Sequence, residues 1–190
     1  MSWNVIDLKA VVPMPWKNGG GTTRELVVWP RAGDWIWRMS VAEVTQSGPF
    51  SRFEGVERWF AVLSGAGVTL KVAGQKHILT PASQPFCFDG ALATDCDLIE
   101  GVTQDFNLMT RKDRIEATMT RVESPLSRAI NNSSTVAVFA MDTASSIQFN
   151  ARADDIQPGT LIWRTTVKDD QLRLDTKSAL MITMLHKDTA

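Results

Sequence analysis

Histidine is nearly missing from this chain: His77 and His186 are the two in 190 residues, and no H-x-H occurs. A mononuclear site in a jelly-roll barrel draws on about three neutral imidazoles and a carboxylate. Three-histidine ligation is therefore excluded, and neither a metal nor another cofactor is expected. The same scarcity removes most nucleophilic chemistry, because a Ser–His–Asp or Cys–His arrangement needs a base in reach of its nucleophile. His77 alone is placed to serve, and there is no G-x-S-x-G elbow. Cysteine is scarce too. Cys87 and Cys96 form no C-x-x-C pair and have no histidine beside them, so they read as buried thiols. A basic excess is absent, with 20 Lys and Arg against 21 Asp and Glu and a net charge of -1. Nothing there holds a phosphodiester backbone, and nucleic acid is not expected as a partner. No run reaches the about 18 apolar residues that cross a bilayer. The first residues show no basic segment leading into an apolar one. A cytoplasmic protein without a membrane partner is the expectation.

Helical periodicity is sparse as well, and what stands in its place is β patterning. Hydrophobic residues at 44% and charged residues at 22% are ordinary for a globular chain long enough to bury a core. Short alternating or continuously apolar runs recur between Gly, Pro, Asp and Asn, as in a barrel or sandwich. From Trp35 to Glu43, Trp35, Trp37, Met39 and Val41 alternate with Ile36, Arg38, Ser40 and Ala42, which places Arg38 and Ser40 on one face. Trp59–Leu63, Val68–Val72 and His77–Leu79 follow as successive hairpins, then Phe86–Phe88, a strand near Leu98 and another at Asp105–Met109. Val136–Trp163 repeats that order: Val136–Phe139 stands for Phe60–Leu63, Ser146–Phe149 for Val68–Lys71, and Leu161–Trp163 for Phe86–Phe88. The expectation is an all-β fold of two fused small β-barrels. An N-terminal barrel over residues 1–122 carries the ligand pocket. A C-terminal half over residues 123–190 shares strands with it, and Ser124–Asn132 is the connector.

The densest chemistry lies in Pro15–Leu26, P-W-K-N-G-G-G-T-T-R-E-L. A glycine triplet lets the backbone approach a small polar ligand with its N–H groups bare, and Lys17 and Arg24 add charge beside it. The alternative is a hairpin tip whose glycines merely permit a turn. Further donors sit among Trp, Phe and Gly: Asn18, Thr22, Arg38, Ser40, Ser51, Arg58, Asn107 and Arg111. One such arginine alone is a solvated surface group. Several converging on a barrel opening, with Arg58 at a strand's mouth, make an anion pocket. Glu25, Glu43 and Glu57 are candidates for acid–base work, with solvated or ion-paired strand residues as the alternative.

Four ordered motifs, P-W-K-N-G-G-G-T-T-R-E-L, W-R-M-S-V-A at Trp37–Ala42, G-P-F-S-R-F-E-G-V-E-R at Gly48–Arg58 and D-F-N-L-M-T-R at Asp105–Arg111, resemble the HutD/Ves family of small bicupin proteins. The match covers about the first 110 residues of the chain. The resemblance implies a metal-independent double cupin that binds a small carboxylate such as N-formylglutamate or urocanate. It also implies a regulatory or metabolite-sensing role in bacterial histidine catabolism. By matching positions it points to Lys17, Asn18, Arg38, Ser40, Ser51, Arg58 and Asn107; Thr22 and Arg24 complete the expected ligand-binding set. No catalytic residue is assigned. The competing classes are a hydrolase or isomerase using Glu57 or His77 as base, and a stress-associated barrel without activity. A homodimer is left open.

Overall fold

Alternation turns into strands, and Gly, Pro and Asn-Ser clusters into the turns between them. The computed structural model describes residues 2–187. Its strands are β1 (Asn4–Asp7), β2 (Met14–Pro15), β3 (Gly21–Trp29), β4 (Trp37–Val44), β5 (Gly48–Pro49), β6 (Val56–Ser64), β7 (Val68–Val72), β8 (Gln75–Leu79), β9 (Phe86–Asp89), β10 (Thr94–Leu98) and β11 (Thr103–Arg111). They continue as β12 (Ile115–Val122), β13 (Leu126–Ala129), β14 (Ser134–Ala140), β15 (Ser145–Phe149), β16 (Arg152–Ile156), β17 (Thr160–Thr166), β18 (Gln171–Asp175) and β19 (Ala179–His186). No helix among the described residues is long and apolar enough to cross a membrane. The β7–β8 turn shows how local sequence sets geometry. Ala73 and Gly74 both have positive φ, 47° and 84°, as a tight hairpin with the right strand twist requires.

The chain divides into two compact units, Val11–Arg114 and the residues on either side of it. The first unit pairs a six-stranded sheet, β2-β3-β4-β11-β6-β9, with a four-stranded sheet, β5-β10-β7-β8. The second pairs β1-β17-β14-β19-β12 with β13-β18-β15-β16. β4-β11-β6-β9 and β12-β19-β14-β17 occupy the same order, as do β5-β10-β7-β8 and β13-β18-β15-β16. This is the all-β double cupin read from the sequence, and the internal repeat is its sheet order written twice.

The boundary differs from the expected one. β12 pairs with β19 along its whole length, and β1 pairs with β17 from Asn4↔Trp163 to Asp7↔Thr160, so both belong to the second unit. Ser124–Asn132 is not a connector: it holds β13, paired with β18 inside that unit. The S-P and N-N-S-S stretches flank a short strand, and local punctuation reports turns rather than the distant partner a strand finds.

The two interiors also differ. In the second unit, Val136, Val138, Ile147, Leu174 and Met181 belong to a closed apolar cluster. In the first, Phe60, Val62, Leu70, Phe88 and Cys96 form such a cluster at one end. One strand step before Phe60, the inward position on β6 is Arg58, and the interior turns polar.

Candidate functional site

That polar end is a cavity of about 510 Å³, a volume usual for small-molecule sites. β4 supplies Arg38 and Ser40, β6 supplies Arg58, β11 supplies Asp105, Asn107 and Met109, and β3 supplies Thr23 and Glu25. Lys17 and Asn18 enter from the loop before β3, and Phe50, Ser51 and Phe53 from the segment after β5. Strand register explains the convergence. Met109 on β11 faces Arg38 on β4 and Arg58 on β6, and Asn107 faces Ser40 and Phe60. Inward positions two residues apart on three adjacent strands thus form rows of side chains.

Arg58 is the innermost cation, 5% exposed. Its Nη2 donates to Asn107 Oδ1 at 3.0 Å, and Asn107 Nδ2 donates in turn to Asp105 Oδ1. Three rings surround the guanidinium, with Phe50 at 5.0 Å, Phe88 at 5.2 Å and Phe53 at 5.9 Å. Arg38 lies nearer the opening. It donates to Met109 Sδ at 3.1 and 3.3 Å, pairs with Glu25 at 3.7 Å, and sits 5.0 Å from both Trp35 and Phe53. Phe53 therefore touches both guanidiniums. Such stacking holds a guanidinium by its faces and leaves its edges to acceptors.

Burial perturbs the inner groups. Desolvation pulls Arg58 down to about 10; Asp105 opposes that and the like charge of Arg38 adds to it. Arg38 is lowered by burial, with Glu25 opposing. Burial pushes the Asp105 carboxyl up to about 7 against the pull of Arg58 and the Asn107 hydrogen bond. Cys96 is raised to about 12, first by burial and then by Asp105 and Asp97, which leaves a protonated, inert thiol.

Lys17, Asn18, Arg38, Ser40, Ser51, Arg58 and Asn107 all line this one cavity. Arg58 is not at a mouth as expected but in the buried floor, since its strand enters the barrel before Arg58 rather than after it. Thr22 and Arg24 are not in the lining. The β3 residues that reach the cavity are Thr23 and Glu25, and Arg24 Nε donates to Val11 O at 3.2 Å instead. Arg111 is held by Trp35 O and Glu54 O, with its guanidinium 4.7 Å from the Trp35 ring. The suggested bases lie elsewhere. Glu57 accepts from Trp59 Nε1 at 3.1 Å, and His77 packs on Phe86 with ring centroids 4.2 Å apart. Glu43 is also outside the lining, which leaves Glu25 as the one of the three glutamates within it.

The glycine triplet does not present bare amides to a ligand. Gly19 N donates to Trp16 O at 3.0 Å and Gly20 N to Asn18 Oδ1 at 3.1 Å, while Gly20 O accepts from Thr45 N and Gln46 N. Gly19 has φ of 73°, as a tight turn demands. Gly21 is glycine for a different reason: a Cβ there would lie 2.3 Å from Glu43 O on the paired strand. Gly21→Ala is accordingly expected to cost about 1–3 kcal/mol by overpacking. Gly20→Ala, with its nearest neighbour Asn18 Oδ1 at 3.4 Å, should cost far less. Parallel thermal melts of the two variants check the contrast, and equal losses would refute the account.

Asp105, Met109, Thr23 and the aromatic caps Phe50 and Phe53 escaped the sequence reading. Asp105 carried a signal, because it stands two residues before Asn107 on the same strand and must share its face.

A family model described as HutD matches residues 8–182. The chain belongs to the HutD family. The HutD/Ves resemblance of its four motifs is thereby shown, and it extends into the second barrel. An uncharacterised 21.2 kDa protein from the hutC 3′ region of Pseudomonas putida is 36% identical over 141 residues, covering 73% of this HutD chain and 74% of that protein. Protein Ves of Cronobacter sakazakii is 38% identical over 112 residues, 58% of this chain and 62% of Ves. Among solved structures, HutD of Pseudomonas fluorescens SBW25, in a formate condition, superposes with a TM-score of 0.86 at 28% identity, covering 98% of this chain and all of that one.

Proposed function

We propose that this HutD-family barrel binds a small organic carboxylate and serves as a metabolite sensor in histidine catabolism. The observation that carries the reading is the presence of Arg38 and Arg58 in one cavity beside the Ser40 hydroxyl and the Asn107 amide. Two guanidiniums lining one cavity suit a carboxylate better than any neutral group. The genomic setting of the P. putida relative, the hutC 3′ region, points the metabolite towards histidine breakdown, with N-formylglutamate and urocanate as first choices. Charge-assisted hydrogen bonds contribute roughly 1.5–3 kcal/mol each. After the costs of association, a few of them support dissociation constants from about millimolar to micromolar, a range that suits sensing.

Titration calorimetry with formate, N-formylglutamate and urocanate tests this. A ligand held near 100 Kd is expected to add about 2.7 kcal/mol to stability. Arg38→Met should weaken binding about 10- to 100-fold with little loss of fold, because Arg38 is half-buried at the opening. Absence of binding or stabilisation by any small acid would leave a purely structural barrel. Turnover of a bound acid would move the reading to an enzyme, with Asp105 as its acid–base group.

A further inference from the structure

Each guanidinium of this cavity already faces a carboxylate of the chain itself. Arg58 is joined to Asp105 through Asn107, and Arg38 is paired with Glu25. The two carboxylates are held very differently. Asp105 is 1% exposed and locked in the floor, whereas the Glu25 side chain is 45% exposed and its Oε2 stands 3.7 Å from Arg38 Nη1, beyond hydrogen-bonding distance. Strand register shows that this contact is a reach and not a ladder pairing. Val28 is the β3 residue opposite Arg38, and Glu25 is opposite Ser40, so the Glu25 carboxylate crosses diagonally to the guanidinium. The other edge of Arg38 is taken, since Nε and Nη2 both donate to Met109 Sδ. An acid entering from the opening therefore meets Arg38 at Nη1, where Glu25 already lies. Two carboxylates at one guanidinium head repel each other. Of the chain's own pair, Glu25 is the one with a way out.

We infer that Glu25 is an autoinhibitory latch: in the empty cavity its carboxylate stands in for the ligand at Arg38 Nη1, and binding exchanges one carboxylate for the other as Glu25 swings into solvent. This rests on the carboxylate reading above and adds how that same site is regulated. The latch sets a threshold. A partly exposed ion pair is weak, so the exchange lowers affinity by a modest factor without closing the site, and the cavity fills only when the acid is abundant. The diagonal reach is what makes the contact releasable. A glutamate directly opposite Arg38 would be fixed by its ladder neighbours, while one that leans across from the next position needs only side-chain rotation to leave.

Calorimetric titration of formate and N-formylglutamate into the wild type, Glu25→Gln and Glu25→Asp tests this. Glutamine keeps the size and loses the charge. Both acids are expected to bind that variant about 3- to 10-fold tighter, through loss of the competing ion pair and relief of repulsion at the guanidinium. Aspartate keeps the charge but is one methylene shorter and does not span the diagonal, so a latch that works by contact is released and affinity rises by most of the same factor. General repulsion of anions by the cavity would instead leave Glu25→Asp at wild-type strength. A crystal structure of the wild type with formate is expected to show formate on Arg38 and Glu25 turned outwards. Equal or weaker binding in Glu25→Gln, wild-type affinity in Glu25→Asp, or formate seated with Glu25 still on Arg38 each overturns the latch while carboxylate binding stands. If neither acid binds the wild type or Glu25→Gln, the carboxylate reading falls and the latch falls with it.

Discussion

Asp105→Asn is expected to stabilise the protein at pH 8 and to lose that advantage as the solution is made acidic. The folded protein holds the Asp105 proton up to about pH 7, whereas the ordinary carboxyl value is 3.8. Between those values the native state binds a proton that the unfolded chain has released. The stability this provides is complete below the unfolded value and is lost as pH rises through the folded one. At 1.36 kcal/mol per pKa unit the whole gap corresponds to about 4 kcal/mol. Asparagine has no charge to bury, but it also deprives Arg58 of its carboxylate, so a net gain on the order of 2 kcal/mol at pH 8 is the expectation. That is a rise of roughly 5 °C in Tm. The difference between variant and wild type should grow from pH 4 to pH 7 and level off above. Melts of both proteins across that range check it, and a difference independent of pH would show that Asp105 is not forced to ionise in a dry site.

The second large effect concerns its neighbour. Arg58→Met should abolish anion binding, because Nη2 and Nε both leave the floor of the cavity, and it should destabilise as well. Arg58 and Asp105 are joined through Asn107 rather than in direct contact, and removing one of two buried opposite charges costs up to about 3–5 kcal/mol. Asp105 escapes part of this by taking a proton, which sets the expected loss nearer about 3 kcal/mol at pH 8 and less at pH 5. The double variant Arg58→Met with Asp105→Asn, having no charge left inside, should be more stable at pH 8 than Arg58→Met alone. Denaturant titrations of the four proteins give the coupling. If the effects of the two single substitutions simply add, the residues do not act on one another and the electrostatic picture of the site is wrong.

Much of this architecture was legible in the residues. Strand alternation gave the barrels, the echo between Val136–Trp163 and Phe60–Phe88 gave their duplication, and the shared face of Arg38 and Ser40 survives in the structure. The misses have physical causes. Thr22 and Arg24 were chosen where Thr23 and Glu25 line the cavity, and on a strand one residue decides the face. The irregularity in β3 between Glu25 and Val27 obscures that register further. β4 is buried on both faces, with Trp37, Met39 and Val41 as enclosed as Ser40. Alternation of polar and apolar residues therefore does not mark an exposed side, and polar residues on such a strand belong to an interior. A carboxylate inside a barrel becomes intelligible once Arg58 stands on the adjacent strand, 49 positions away in the chain from Asn107. No local pattern holds that information. The same is true of β1, whose partner β17 follows it by more than a hundred residues.

That last pairing sets an order on synthesis. The barrel with the polar cavity is a single uninterrupted stretch and has all its strands once residue 114 has left the ribosome. Its companion is built from residues on both sides of that stretch, so β1 stays unpaired through the making of an entire barrel it does not join. The half that holds the cavity can close while the other is still being translated.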